Sequence, residues 1–136
     1  MKGRAFLDLA RELVQEQTEA HWRGAAIHAY YALMLEGRDL LFRWGRPLPP
    51  HQSVHAFVRL QFSFASDPDL KDVGDALDDL VLFRNRASYN LQPSAAFATN
   101  ARAQRAVLQA TDALALLDAI DGDPTRRAAA IASLPP

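Results

Sequence analysis

The chain contains no cysteine, which excludes disulfides and thiolate metal sites and makes a reducing cytoplasm the expected setting. No uninterrupted apolar stretch approaches the roughly 20 residues needed to span a bilayer, so no membrane association is expected. The apolar residues after Lys2 and Arg4 are broken by Asp8, Arg11 and Glu12, a pattern unlike a signal peptide. A surplus of basic charge is also missing: 15 Lys and Arg stand against 16 Asp and Glu, for a net charge of −1. Any contact with RNA would therefore be local rather than spread over a basic surface. No glycine-rich loop could cradle a phosphate, and nothing in the residues names a cofactor. Strand-period alternation is absent as well, which removes sheet-based folds.

What remains is a helical pattern. Of the 136 residues, 49% are hydrophobic and 23% charged, enough for one domain with one core. Phe6, Leu9, Ala10, Leu13 and Val14 repeat at helical spacing and predict a helix over about 4–16. Thr18 is a candidate N-cap for a long second helix over about 19–44, with Ala26, Tyr30, Leu33, Gly37 and Leu41 on its apolar side. Gly24 and Gly37 each cost ~1 kcal/mol against alanine, and close approach of another backbone is the expected compensation. The run Gly45-Arg46-Pro47-Leu48-Pro49-Pro50 ends this helix.

Val54, Phe57, Val58, Gln61 and Phe62 predict a helix over about 53–64. Asp67-Pro68 is a strong start for the next, with Asp as N-cap and Pro in the first turn. Leu70, Val73, Leu77, Leu80 and Val81 carry that helix to about Tyr89. A last long helix is predicted over about 95–120, followed by a short segment beginning at Asp123-Pro124. The expectation is an all-α, four- to five-helix up-down bundle over 1–122, with 123–136 as a short C-terminal helix or tail.

Leu70, Leu77 and Arg84 are spaced by seven, so Arg84 continues an otherwise apolar stripe. A guanidinium there needs a carboxylate, a backbone acceptor, a symmetry mate or a ligand phosphate, because an unpaired buried charge is costly. Its planar fork suits a phosphate held by two parallel hydrogen bonds. His51 and His55 have the spacing of two ligands on one helical face but lack an obvious third, so no metal site is expected. His21 and His28 share a face of the second helix, and either could approach Arg84 as a base. The aspartates at 67, 69, 72, 75, 78 and 79 read as a solvated helix face whose first members favour the helix dipole. Arg38, Arg43 and Arg46 could form a basic patch or stand as scattered solvated arginines.

Two segments resemble the HEPN family. Ala25-Ala26-Ile27-His28-Ala29-Tyr30-Tyr31-Ala32-Leu33 is similar to the family's tandem-tyrosine helix. Leu82-Phe83-Arg84-Asn85-Arg86-Ala87-Ser88-Tyr89-Asn90-Leu91 is similar to its arginine-polar segment, and closer to a subgroup that reads Arg-x-Arg-Ala-Asp-Tyr, with Tyr89 where histidine usually follows. The order of elements agrees over most of residues 5–120. The resemblance implies a small helical bundle that homodimerises with its motif helices meeting. Many such proteins are metal-independent ribonucleases, often toxins encoded beside a minimal nucleotidyltransferase; others are interaction or RNA-binding modules.

By this likeness Arg84, Asn85 and Tyr89 are the candidate catalytic residues, and Arg84, Arg86, Tyr30, Tyr31 and His28 the candidate ligand-binding residues. Metal-free RNA cleavage needs a base, an acid and a cation for the phosphorane. Tyr89 is a poor base, since an unperturbed tyrosine with a pKa of about 10 is roughly one part in a thousand ionised at neutral pH. It also lies about 140° round an unbroken helix from Arg84, so convergence is expected only if the helix end unwinds or a second subunit contributes. Leu91 occupies the place where some toxin members carry a tyrosine that is nucleotidylated. The expected function is a homodimerising module, non-catalytic or weakly active, that binds RNA, a nucleotide or a partner protein. The alternatives are a metal-independent ribonuclease toxin paired with a minimal nucleotidyltransferase, possessing no cofactor, and a purely structural interaction bundle.

Overall fold

The computed structural model describes residues 1–136 as six helices and no strand: α1 (Arg4–Val14), α2 (Glu19–Arg43), α3 (Val54–Ser63), α4 (Pro68–Tyr89), α5 (Ala101–Asp121) and α6 (Pro124–Ser133). Local chemistry sets their ends. Thr18 accepts the His21 amide at the start of α2, and Asp67 accepts the Asp69 and Leu70 amides ahead of Pro68. Asp123 accepts the Thr125 amide to start α6. Each side chain occupies an amide that the first helical turn leaves without a partner.

Helices α1, α2, α4 and α5 form an up-down bundle. Arg4 meets Glu36 near one end of α1, and Gly24 sits against Leu13 near the other, so α1 and α2 are antiparallel. Arg23 reaches Ala87 while Tyr31 meets Arg84, making α2 and α4 antiparallel too. Gln109 donates to Asp79 and Arg102 lies over Phe83, which fixes the opposite directions of α4 and α5. Tyr30, Leu33, Phe62, Leu70, Leu77 and Phe97 are almost wholly inaccessible and belong to one continuous core. Burying each such side chain is worth roughly 1.5–3 kcal/mol before chain entropy is counted.

The structure departs from the sequence reading at the last long helix and at the two glycines of α2. The 95–120 stretch is divided, with Ala95–Phe97 a separate 3-10 turn and α5 beginning at Ala101, and the C-terminal α6 brings the count to six helices. The break turns Phe97 into the core, where its ring stacks on Phe83 at 5.1 Å. The C-terminal segment takes the helical alternative as α6, and Ala130 and Leu134 join the same core while the Ser66 amide donates to the Ser133 carbonyl. Gly24 and Gly37 face side chains rather than backbone: a Cβ at Gly37 would lie 3.0 Å from the Phe62 ring, and one at Gly24 3.2 Å from Leu13. The backbone contact occurs instead at Gly74, where a Cβ would lie 2.6 Å from the Ser63 nitrogen. That glycine lets α3 lie directly on α4, which brings the opposite end of α3 alongside Arg84.

Candidate functional site

The site forms where α2, α3 and α4 meet. Arg84 is half-buried; its Nη2 donates to the Tyr31 hydroxyl at 2.6 Å and its Nη1 to Asn85 Oδ1 at 2.9 Å. Its guanidinium carbon lies 5.2 Å from the Tyr31 ring centre, 5.8 Å from Tyr30 and 5.7 Å from Tyr89. Nε is buried and has no hydrogen-bond partner. None of the ion pairs in the chain involves Arg84. The charge is held by three ring faces and two neutral oxygens, and no carboxylate neutralises it.

Tyr30 sits beneath this arginine with no exposed surface. Its hydroxyl is hydrogen-bonded to His55 Nδ1 at 2.6 Å, and the two rings stack at 5.8 Å. Burial pushes the Tyr30 hydroxyl up to about 12 despite the nearby Arg59 and Arg84. Burial also holds His55 below the ordinary histidine value, with the positive fields of Arg84, His51 and Arg59 acting in the same direction. The Tyr30–His55 pair is therefore uncharged at neutral pH. In the tautomer where Nδ1–H donates to Tyr30, the other ring nitrogen is a free base; in the alternative, it is a hydrogen-bond donor.

Of the residues singled out in sequence, Arg84, Asn85, Tyr30, Tyr31 and Tyr89 come together. Tyr89 reaches Arg84 with α4 still helical, so neither unwinding nor a second subunit is needed for the contact. The long arginine side chain spans the angular gap that separates the two backbone positions. Arg86 does not join them: it lines a groove between α4 and α5. His28 is also elsewhere, stacked on Phe6 of α1 at 5.3 Å with its Nδ1 buried and unpartnered, and burial lowers its pKa. His21 caps the start of α2 against the Thr18 hydroxyl.

The nearby histidine is His55, which the sequence presented only through its four-residue spacing from His51. No group of three His, Cys, Asp or Glu is placed to hold a metal ion. Arg38, Arg43 and Arg46 do not make a free basic patch, because they meet Asp39, Asp121 and the Pro135 carbonyl. The aspartates of α4 divide likewise: Asp67 and Asp69 bind Arg126, and Asp78 binds Arg59. The Arg126 guanidinium is the main reason Asp67 lies below the usual carboxylate range.

Sequence reasoning also missed Arg23. It is 7% exposed and lies over the Phe97 ring at 4.2 Å. Its Nη1 donates to the carbonyls of Arg86, Ala87 and Asn90 at 3.2, 3.1 and 2.8 Å. These belong to the end of α4, whose last carbonyls have no partner within the helix. Arg23 thus fixes the turn that carries Tyr89. Its only sequence signal is a charged residue between two buried alanine-rich turns of α2.

No known protein family, characterised protein or solved structure matches the chain. No helix is long and apolar enough to cross a membrane. The functional reading rests on the geometry around Arg84.

Proposed function

We propose that the chain is a HEPN-like module, acting as a homodimer, that binds a phosphate group of RNA at Arg84. The observation that carries this reading is a half-buried guanidinium with no carboxylate partner and an unsatisfied Nε, walled by Tyr30, Tyr31 and Tyr89. A structural arginine at this depth ordinarily ends on an acid. Here a phosphate would supply the missing charge, and the exposed Tyr89 ring offers a face on which a base can stack.

A second reading, metal-independent RNA cleavage, is favoured by one observation: His55 is neutral and hydrogen-bonded to Tyr30 beside the same arginine. In that reading His55 accepts the 2′-hydroxyl proton as the 2′-oxygen attacks phosphorus. Arg84 stabilises the phosphorane, and the 5′-oxygen leaves with a proton from Tyr89 or water.

The test is fluorescence anisotropy with single-stranded RNA in the presence of a chelator, followed by electrophoresis of the same RNA. Binding lost in a folded Arg84→Ala protein supports the module. Cleavage lost in His55→Ala as well would replace it by the ribonuclease. Wild-type protein that neither binds nor cleaves RNA would reject both.

A further inference from the structure

The segment that joins α2 to α3 is held in one conformation by its own residues. In Arg46-Pro47-Leu48-Pro49-Pro50 each proline ring locks φ near −65° and removes an N–H. Arg46, Leu48 and Pro49 each precede a proline, which pushes their backbone into the extended range. Pro50 has φ −51° and ψ 150°, and the five residues belong to no helix or turn. The run is a short rod of polyproline II.

Both of its ends are tied down. At the entry Gly45 takes a φ of +88°, a conformation open to a residue without Cβ. The Gly45 and Arg46 amides donate to the Phe42 and Leu41 carbonyls and close α2. At the exit the Ser53 amide donates to the Pro50 carbonyl at 2.8 Å. Leu48 packs on the core and Pro49 is half-buried, whereas Pro47 and Pro50 are exposed. Polyproline II repeats every three residues and rises ~3.1 Å per residue, so the two exposed rings share one face about 9 Å apart.

The atoms of that face decide what can bind it. The Pro47, Leu48 and Pro49 carbonyls accept no hydrogen bond within the chain, and the prolines offer no donor. A phosphate needs donors and a sheet edge needs backbone N–H groups, so neither an anion nor an added strand fits the prolines. Arg46 supplies a charge at the entry. Its Nη1 donates to the Pro135 carbonyl at 2.8 Å, and it belongs to none of the ion pairs in the chain.

We propose that Arg46–Pro50 is the docking segment for a partner protein whose aromatic-lined groove reads polyproline II. The complementary groove holds the Pro47 and Pro50 rings between aromatic side chains, a spacing that SH3-type grooves accept. Indole or phenol groups of the partner donate to the free carbonyls, and an acid of the partner faces Arg46. Because both ends of the run are already fixed, binding costs little further ordering. The contact uses none of the residues around Arg84 and is independent of RNA binding there.

The experiment is a titration of the isotope-labelled full chain with a panel of purified SH3 domains whose grooves carry acidic residues, followed by amide NMR. Saturable shifts are expected at Gly45, Arg46, Leu48 and His51. P47A/P50A should weaken binding about tenfold or more, because it removes both anchoring rings. R46Q should weaken it by a smaller factor, and P93A, which alters an exposed proline outside the run, should bind as the wild type does. The same spectra report the fold of each variant; should the double variant unfold, P47A alone carries the comparison. A wild type that no member of the panel shifts would overturn the proposal. So would binding that survives loss of the proline rings, or shifts centred on Arg84 and Tyr89.

Discussion

The Arg84 guanidinium donates to the Tyr31 hydroxyl at 2.6 Å, joining two segments 53 residues apart in the chain. Each segment is a short motif of limited meaning alone. Together with Tyr30, His55 and Tyr89 they surround a cation that no acid neutralises. The arrangement leads to predictions that separate ligand binding from stability.

Arg84→Ala should weaken RNA binding by about 1.5–3 kcal/mol, the worth of hydrogen bonds to a charged group. Its stability should change by no more than about 1 kcal/mol, since no buried acid is left behind. Arg84→Lys keeps the charge but not the planar fork, and should recover only part of the affinity. Anisotropy titrations and urea melts of the three proteins measure both quantities. A large loss of stability with unchanged binding would make Arg84 a structural residue.

Arg23→Ala should have the reverse signature. It removes a buried donor from three carbonyls at the end of α4, at a cost of about 2–4 kcal/mol. The effect on RNA should follow from a loosened Tyr89 turn. Hydrogen exchange should show faster amide opening at 86–90 while α1 keeps its protection. Uniform protection across α4 in this variant would contradict the capping role.

Gly74→Ala tests the approach of α3 to α4. Alanine would gain ~1 kcal/mol of helix propensity, but its Cβ would meet the Ser63 backbone at 2.6 Å. The strain should win, for a net loss of about 1–3 kcal/mol. His55 should move away from Tyr30, because the α3–α4 contact sets where α3 holds His55 against α2. The thermal midpoint and the His55 ring chemical shifts report the two effects, and a variant more stable than wild type would disprove the close contact.

Stability should fall as the solution is acidified. His28 and His55 both lie below the ordinary histidine value, mainly through burial, with nearby positive charges adding to the effect at His55. The unfolded chain therefore takes up these protons more readily than the folded one. The stabilisation is complete above the unfolded value of about 6.5 and is lost as pH falls through the lower folded values. Asp67 acts in the same sense further down, below the usual carboxylate value, as its bond to Arg126 is protonated away. Urea midpoints should drop from about pH 8 to about pH 5, and the H28Q/H55Q variant should flatten that slope. An equal slope in the variant would place the pH dependence elsewhere.

Sequence by itself determined the fold class, the caps and most of the core. Asp67-Pro68 starts α4 and Thr18 starts α2, because capping and proline geometry are local. Leu33, Leu70 and Leu77 are buried as their helical spacing predicts. Tyr30, Tyr31 and Arg84 were also legible as candidates, the tyrosines by their motif and Arg84 by its position on an apolar stripe.

Tertiary structure alone decided which of them meet. His55 approaches Tyr30 because Gly74 admits the backbone of α3, while His28 turns to Phe6 on a different face of α2. Arg86 leaves the site for the α4–α5 groove, and Tyr89 stays because a long side chain can bridge an angle that backbone geometry leaves open. Periodicity specifies which side of one helix is buried. It carries no information about which other helix covers that side, and at this site that choice sets the chemistry.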